Sequence, residues 1–321
     1  MDKILITGIL GSGGTFLAKF LSEENRKNFL FGIGRSHSGF QKNEILSNIN
    51  NLKFFDVDMN DYSSLYRSIN KIKPTKIFNL ASNANVRSSF DNPISIFENN
   101  TKSCLNLFEV IRNLNLSTKI VHCSTSEVYG QILKSEVPVN ENQPFRPASP
   151  YAVSKIAQDM FSETYYKNFG LNIIRTRMFT YINPLREDLF ATSFAKQIVE
   201  IELGKRRILK HGNLKSIRTI VDIRDAMNAY WLAINKCKSG EVYNIGGESS
   251  VSVGEFLDLL ISKSKSKIKT KVDQSLLRPT DVTLQIPNTY KFYKETRWKP
   301  KYSFEESVDY LLNFWRERLN A

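Results

Sequence analysis

Lys3-Ile4-Leu5-Ile6-Thr7-Gly8-Ile9-Leu10-Gly11-Ser12-Gly13-Gly14-Thr15 near the start of the chain decides how the fold is read. The apolar run ending at Thr7 has the length and composition of a buried strand, and residues 15–21 read as a helix. The glycine-rich segment between them is therefore a strand-to-helix turn. Glycines at 8, 11 and 14 let the backbone turn tightly and come close to a bound group, while the N–H groups opening the helix favour negative charge there. Thr7, Gly8, Gly11, Ser12, Gly13 and Gly14 form a candidate pyrophosphate site. A plain glycine-rich turn has the same composition, but the placement between strand and helix favours the phosphate reading.

Working outward, short apolar runs recur over 29–32, 52–55, 77–80, 120–123, 173–176 and 242–245, with helix-length segments between them. Helical periodicity is clearest over 104–114, 151–168, 226–235, 253–262 and 304–319. Strands alternating with crossover helices predict an α/β fold: a doubly wound parallel sheet of Rossmann type. After Thr176 the regularity breaks. Asn183-Pro184-Leu185-Arg186-Glu187-Asp188 reads as loop, and the region to Lys215 reads as short, basic and irregular. The chain is then expected to return to the sheet over 220–234 and 242–246. This predicts a dinucleotide-binding domain over 1–178 plus 217–247, and a smaller, discontinuous C-terminal substrate lobe over 179–216 plus 248–321.

The 321 residues, 41% of them hydrophobic, suffice for a substantial core, and 24% charged is ordinary for a folded soluble protein. Cys104, Cys123 and Cys237 lie far apart in apolar surroundings, without metal-ligand spacing, and read as reduced core residues. No metal is expected. The opening lacks the features of a signal peptide and no apolar run is long enough to span a bilayer, so a cytoplasmic protein without membrane association is expected. The net charge of +13 fits nucleic acid, a membrane surface or a small anionic substrate equally well. Its distribution discriminates: the cations are spread out, the densest group (263–271) alternates like an exposed strand edge, and no nucleic-acid-binding motif accompanies them.

The second strand ends Gly32-Ile33-Gly34-Arg35-Ser36. An acidic residue there would suit the ribose hydroxyl of NAD, whereas a cation and a hydroxyl suit a 2′-phosphate, so Arg35 and Ser36 favour NADP, with NAD as the alternative. A solvent-exposed loop arginine is the competing reading. Asp58, after the third strand, and Leu80 and Ser82, after the fourth, fall where an adenine edge and the inner ribose would lie.

Two segments carry candidate chemistry: Ser124-Thr125-Ser126-Glu127-Val128-Tyr129-Gly130 after the fifth strand, and Ser149-Pro150-Tyr151-Ala152-Val153-Ser154-Lys155 opening a helix. Tyr151 and Lys155, four apart, share a helix face. An ammonium beside a phenol favours the phenolate, which would make Tyr151 an acid/base for a sugar hydroxyl. An incidental Tyr and Lys on a surface helix give the same spacing.

Together with the late Arg278-Pro279-Thr280-Asp281-Val282, these motifs resemble the extended short-chain dehydrogenase/reductase family along essentially the whole chain. The likeness is to its nucleotide-sugar branch, nearest the GDP-mannose 4,6-dehydratases and the reductases of GDP-4-keto-6-deoxymannose. The resemblance implies that Tyr151 takes the C4 hydroxyl proton while C4 gives hydride to the nicotinamide. Thr125 would bond the same oxygen, and Lys155 would hold the ribose and stabilise the phenolate. In a dehydratase Glu127 would remove the C5 proton before water leaves C6. Arg218 and Arg278 match positions that clamp the nucleotide diphosphate, with Lys196 a further candidate, and Asn85 and Asn183 fall in the sugar-facing loops. The chain departs from the family in Thr180-Tyr181 for Asn-His, Asn83-Ala84-Asn85 for Gln-Ser-His and Ser103-Cys104 for Gly-Thr, which implies a rebuilt sugar pocket.

The leading expectation is NADP-dependent 4,6-dehydration of a GDP-hexose or GDP-heptose by a homodimer or homotetramer paired through helices 100–114 and 151–168. C4 redox chemistry or epimerisation on such substrates is the alternative. A non-catalytic ligand sensor is disfavoured by the retention of Thr125, Tyr151 and Lys155.

Overall fold

A computed structural model describes residues 1–24, 28–277 and 280–320. The first half runs β1 (Lys3–Thr7), α1 (Ser12–Glu24), β2 (Phe29–Gly34), α2 (His37–Lys42), α3 (Glu44–Ser47), β3 (Leu52–Asp56), α4 (Tyr62–Ile72), β4 (Lys76–Asn79), α5 (Ser88–Asp91), α6 (Pro93–Asn113), β5 (Lys119–Thr125) and α7 (Pro150–Phe169). The second runs β6 (Ile173–Met178), β7 (Tyr181–Ile182), α8 (Phe190–Glu202), β8 (Leu209–His211), β9 (Ile217–Thr219), β10 (Val221–Asp222), α9 (Ile223–Lys236) and β11 (Val242–Ile245). It closes with β12 (Ser250–Ser252), α10 (Val253–Ser262), β13 (Thr270–Val272), β14 (Leu284–Gln285), α11 (Tyr290–Thr296) and α12 (Phe304–Asn320).

Seven strands form one parallel sheet in the order β11-β6-β5-β4-β1-β2-β3. Side chains alternate across it, so successive residues of β1 serve opposite cores. Ile4 and Ile6 pack with α1, α9 and α11 on one face, and Leu5 packs with α4, α6 and α7 on the other. This is the Rossmann arrangement. The order reverses between β1 and β4, and an open α/β sheet has its ligand crevice at such a switch point, beyond the carboxyl ends of the strands.

A third core joins α8, α10 and α12 around Phe194, Phe256, Leu312 and Trp315. It corrects one expectation: the stretch to Lys215 is not irregular throughout but contains the 13-residue α8, whose Ala191, Phe194, Ala195, Ile198 and Val199 fall on one buried stripe. Nor does 220–234 rejoin the large sheet. There β10 pairs with β7 in a separate two-stranded ladder and then becomes α9. The expected border between the lobes is also crossed twice: β9 pairs with β12 and β14, whereas Phe292 and Trp298 pack back under the large sheet. Of the basic stretch 263–271, the end at Thr270 and Lys271 is strand, paired with β8. Among the described residues, no helix is long and apolar enough to cross a membrane. All three cysteines are buried free thiols that burial pushes up to about 12.

Candidate active site

At the switch point lies a cavity of about 1130 Å³ between the strand ends and the second lobe. Its floor on the β1 side is the glycine turn. Gly8 has φ +66, and a Cβ there would stand 2.8 Å from Ala81 Cα; at Gly14 it would stand 2.6 Å from Gly8 O. Only glycine permits this backbone crowding. The turn leaves a glycine-lined cradle at the N-terminus of α1, flanked by Leu10 and Ser12, which fits a pyrophosphate. Thr7 lies beneath it, donating to Asn79 Oδ1 at 2.7 Å and accepting from Ala81 N at 3.2 Å, which ties the ends of β1 and β4 together.

The catalytic candidates enter from β5 and α7. Ser149 caps α7 by accepting from Ala152 N at 3.1 Å, and Pro150 takes the first helical position, where its missing N–H costs nothing. Tyr151 thus stands at the helix mouth, buried, with its side chain hydrogen-bonded to Thr125. Burial pushes its phenol above the ordinary tyrosine value; the Arg186 charge and the Thr125 hydrogen bond act the other way, and the Glu127 carboxylate adds to the rise. Thr125 also accepts from Glu127 N at 3.2 Å, so one short turn presents both residues to the cavity.

Lys155 lines the same cavity as Tyr151, and its ammonium already has partners. Its Nζ donates to Cys123 O at 2.7 Å and to Gln158 Oε1 at 2.6 Å, and burial lowers its pKa. A relay continues from Gln158 Nε2, which donates to Asn100 O at 2.5 Å, to the Asn100 side chain, which donates to Ser154 Oγ and accepts from Asn83 N. The cation whose charge offsets the burial of Tyr151 is instead Arg186, which grips Asp188 at 2.7 and 2.8 Å and donates to Ala84 O at 3.3 Å. Beneath the site Asp159 accepts from Ser124 at 2.9 Å and pairs with Arg175 and Arg177. Burial alone would raise its pKa, but the two guanidinium groups override it and hold the carboxyl below its usual range.

A family model described as GDP-mannose 4,6 dehydratase matches residues 5–311. The chain belongs to the GDP-mannose 4,6-dehydratase family. Among its relatives, the GDP-mannose 4,6 dehydratase of Dictyostelium discoideum is 29% identical, over 95% of this chain and 93% of its own. The GDP-mannose 4,6 dehydratase 2 of Caenorhabditis elegans is 30% identical, over 95% and 86%. Of the solved structures, RMD from Pseudomonas aeruginosa complexed with NADPH shares the fold at TM-score 0.83 and 22% identity, over 99% of this chain and 100% of that one. So does the dTDP-glucose 4,6-dehydratase of Bacillus anthracis in complex with NAD, at TM-score 0.83 and 24% identity, over 98% and 96%.

In this member of the dehydratase family that one cavity at the switch point gathers nearly every residue expected from sequence. Gly8, Gly11, Ser12, Gly13, Gly14, Arg35, Ser36, Asp58, Leu80 and Ser82 line it, together with Thr125, Glu127, Tyr151 and Lys155 and with Asn85, Asn183 and Arg218. Arg35 is exposed at the rim, while Ser36 caps α2 by accepting from Gly39 N at 3.0 Å. Arg218 is buried and donates to Ile217 O and Val282 O. Ser82 Oγ and Asn183 Nδ2 are buried without a hydrogen-bond partner among the described residues. Lys196 departs from expectation. It is not among the wall residues: its ammonium pairs with Glu187 at 2.6 Å and lies over the Trp315 ring. Arg278 lies outside the described residues.

Among the wall residues that escaped the sequence reading, two touch groups of the site. Arg186 stood in a loop that matched no family pattern, and Gln285 donates through Nε2 to Glu127 Oε1 at 3.1 Å across 158 positions. No local signal in the chain announces either contact.

Proposed function

We propose that this chain is a cytoplasmic, NADP-dependent nucleotide-sugar 4,6-dehydratase acting on a GDP-linked hexose or heptose. The observation that carries the reading is the grouping of Tyr151, Thr125 and Glu127 in one cavity beside the glycine cradle; family membership and the relatives' own names support the reaction class. When bound, the dinucleotide supplies a hydride acceptor for C4 that returns the hydride to C6. The cradle from Gly8 to Gly14 would hold its pyrophosphate, Ser82 would offer its unpartnered hydroxyl nearby, and Arg35 would meet the 2′-phosphate.

The chain's own groups move the protons. Thr125 and Tyr151 bind the C4 hydroxyl, and Tyr151 takes its proton as C4 becomes a ketone. The ketone acidifies the neighbouring C–H at C5, whose proton passes to Glu127; Glu127 gives it to the departing C6 hydroxyl, which leaves as water, and C5 regains a proton from solvent as hydride returns to C6. Arg218 grips the diphosphate, with Arg278 assigned the same task from the resemblance, and Asn85 and Asn183 face the sugar. In a plain C4 oxidoreductase the carboxylate beside Tyr151 would serve only structure or orientation.

Mass spectrometry of candidate nucleotide sugars incubated with the protein and NADP tests this directly. Loss of one water is expected; a change of two hydrogens without loss of water would promote C4 redox chemistry instead. We also propose a homodimer, or a tetramer built from it, through α6 and α7, which expose Ile94, Phe97, Val153 and Met160. Light scattering showing only monomer at micromolar concentration would remove that assignment.

A further inference from the structure

Gln285 sits on β14, 4% exposed, in a chain segment anchored on both edges. On one side β14 runs parallel to β9, with Gln285 in register with Arg218. On the other, Val139 N donates to Ile286 O at 2.8 Å and Asn288 N to Val139 O at 2.7 Å. The side chain that emerges from this clamp reaches Glu127 Oε1 at 3.1 Å. Because an ionised carboxylate only accepts hydrogen bonds, the amide must present its NH2 group to it. Glu127 Oε2 makes no hydrogen bond among the described residues, and the residue lines the cavity.

We propose that Gln285 is the positioning residue for Glu127: its carboxamide holds one carboxylate oxygen so that the other faces the substrate, and it does so from the same small sheet that carries Arg218. A glutamate on a 3₁₀ turn would otherwise rotate freely about its side-chain bonds, and a base displaced by about 1 Å can lose two orders of magnitude in rate. Sharing a ladder with Arg218 gives a second consequence. The lobe that grips the nucleotide also sets the direction of the base, so anchoring the diphosphate and aiming the carboxylate are one structural event. The inference rests on the dehydration reading, in which Glu127 takes the C5 proton.

The test uses the intact protein, NADP and GDP-mannose as probe, with Gln285→Met, which keeps the length and loses the donor, and Gln285→Glu, which keeps the shape and opposes the charge. Three quantities are read: affinity for GDP-mannose, the rate at which reduced cofactor forms in a single turnover, and deuterium entering C5 from heavy water. We expect affinity and cofactor reduction within about twofold of wild type in Gln285→Met, with C5 exchange down about tenfold or more and reduced cofactor accumulating. Gln285→Glu should lose C5 exchange further. A purely structural role would lower all three together and overturn the inference. So would C5 exchange at the wild-type rate in Gln285→Met, which leaves dehydration standing. A wild-type protein that neither releases water from GDP-mannose or a GDP-heptose nor exchanges at C5 in either ends the dehydration reading itself, and the role of Gln285 with it.

Discussion

The two walls of the cavity are built in opposite ways. The cofactor wall is local: residues 7–14 turn within one strand-to-helix junction, and their constraints are backbone constraints, with Gly8 at φ +66 and Gly14 against Gly8 O. The substrate wall is assembled from distant segments. Gln285 meets Glu127 across 158 positions, and Arg186 meets Ala84 across 102. A local turn is written in residue type, because only glycine survives the crowding. A contact between distant segments is written in the packing that joins two lobes, and any polar residue of the right length could make it.

Changes at the centre of the site should separate the walls most sharply. Tyr151→Phe should retain cofactor and nucleotide binding, both of which depend on other residues, yet lose at least about 100-fold in turnover. Near-normal turnover would remove the phenol from the reaction.

Next in size is a contrast within the glycine turn. Gly14→Ala drives a methyl group into backbone at 2.6 Å, whereas at Gly13 the nearest atoms are the side-chain tips Leu80 Cδ2 at 3.2 Å and Tyr181 OH at 3.3 Å, which can shift. Gly14→Ala should lower stability by about 1–3 kcal/mol, and Gly13→Ala by clearly less. Equal losses in denaturant unfolding would show that the turn is not limited by backbone contact.

The substrate wall can be probed through pH. Tyr151 works as a base only when ionised, so turnover should rise with pH through its titration. The Arg186 charge pulls that titration down against the effect of burial. Removing the charge in Arg186→Met should therefore move the rising limb of kcat/KM to higher pH. A limb that stays in place would mean that Asp188 already neutralises the guanidinium.

The smallest effect is expected at the rim. Arg35 is exposed and makes no hydrogen bond among the described residues, so its contribution depends on the 2′-phosphate alone. Arg35→Ala should weaken NADP about tenfold and leave NAD nearly unchanged, as one charge-assisted contact implies. Unchanged selectivity would assign the choice of cofactor to other residues.

The chain's pattern by itself determined the parallel sheet, the glycine turn and the Thr125, Glu127 and Tyr151 candidates. Each is encoded within about one turn of helix or strand, by apolar spacing, by glycines that no other residue can replace, or by reactive groups at a strand end and a helix start. The tertiary structure decided the rest. The 13-residue α8 was hidden because its buried stripe has a partner only when α12 folds back from more than a hundred residues away. Lys155, legible as the neighbour of Tyr151, is held by Cys123 O and Gln158 because a buried ammonium takes the nearest acceptors. Lys196, one turn of α8 beyond Thr192 at the cavity wall, found Glu187 and Trp315 instead. The pairing of Gln285 with Glu127 exists only because β14 lies between β9 and the Val139 strap, and no property of either residue alone encodes that distance.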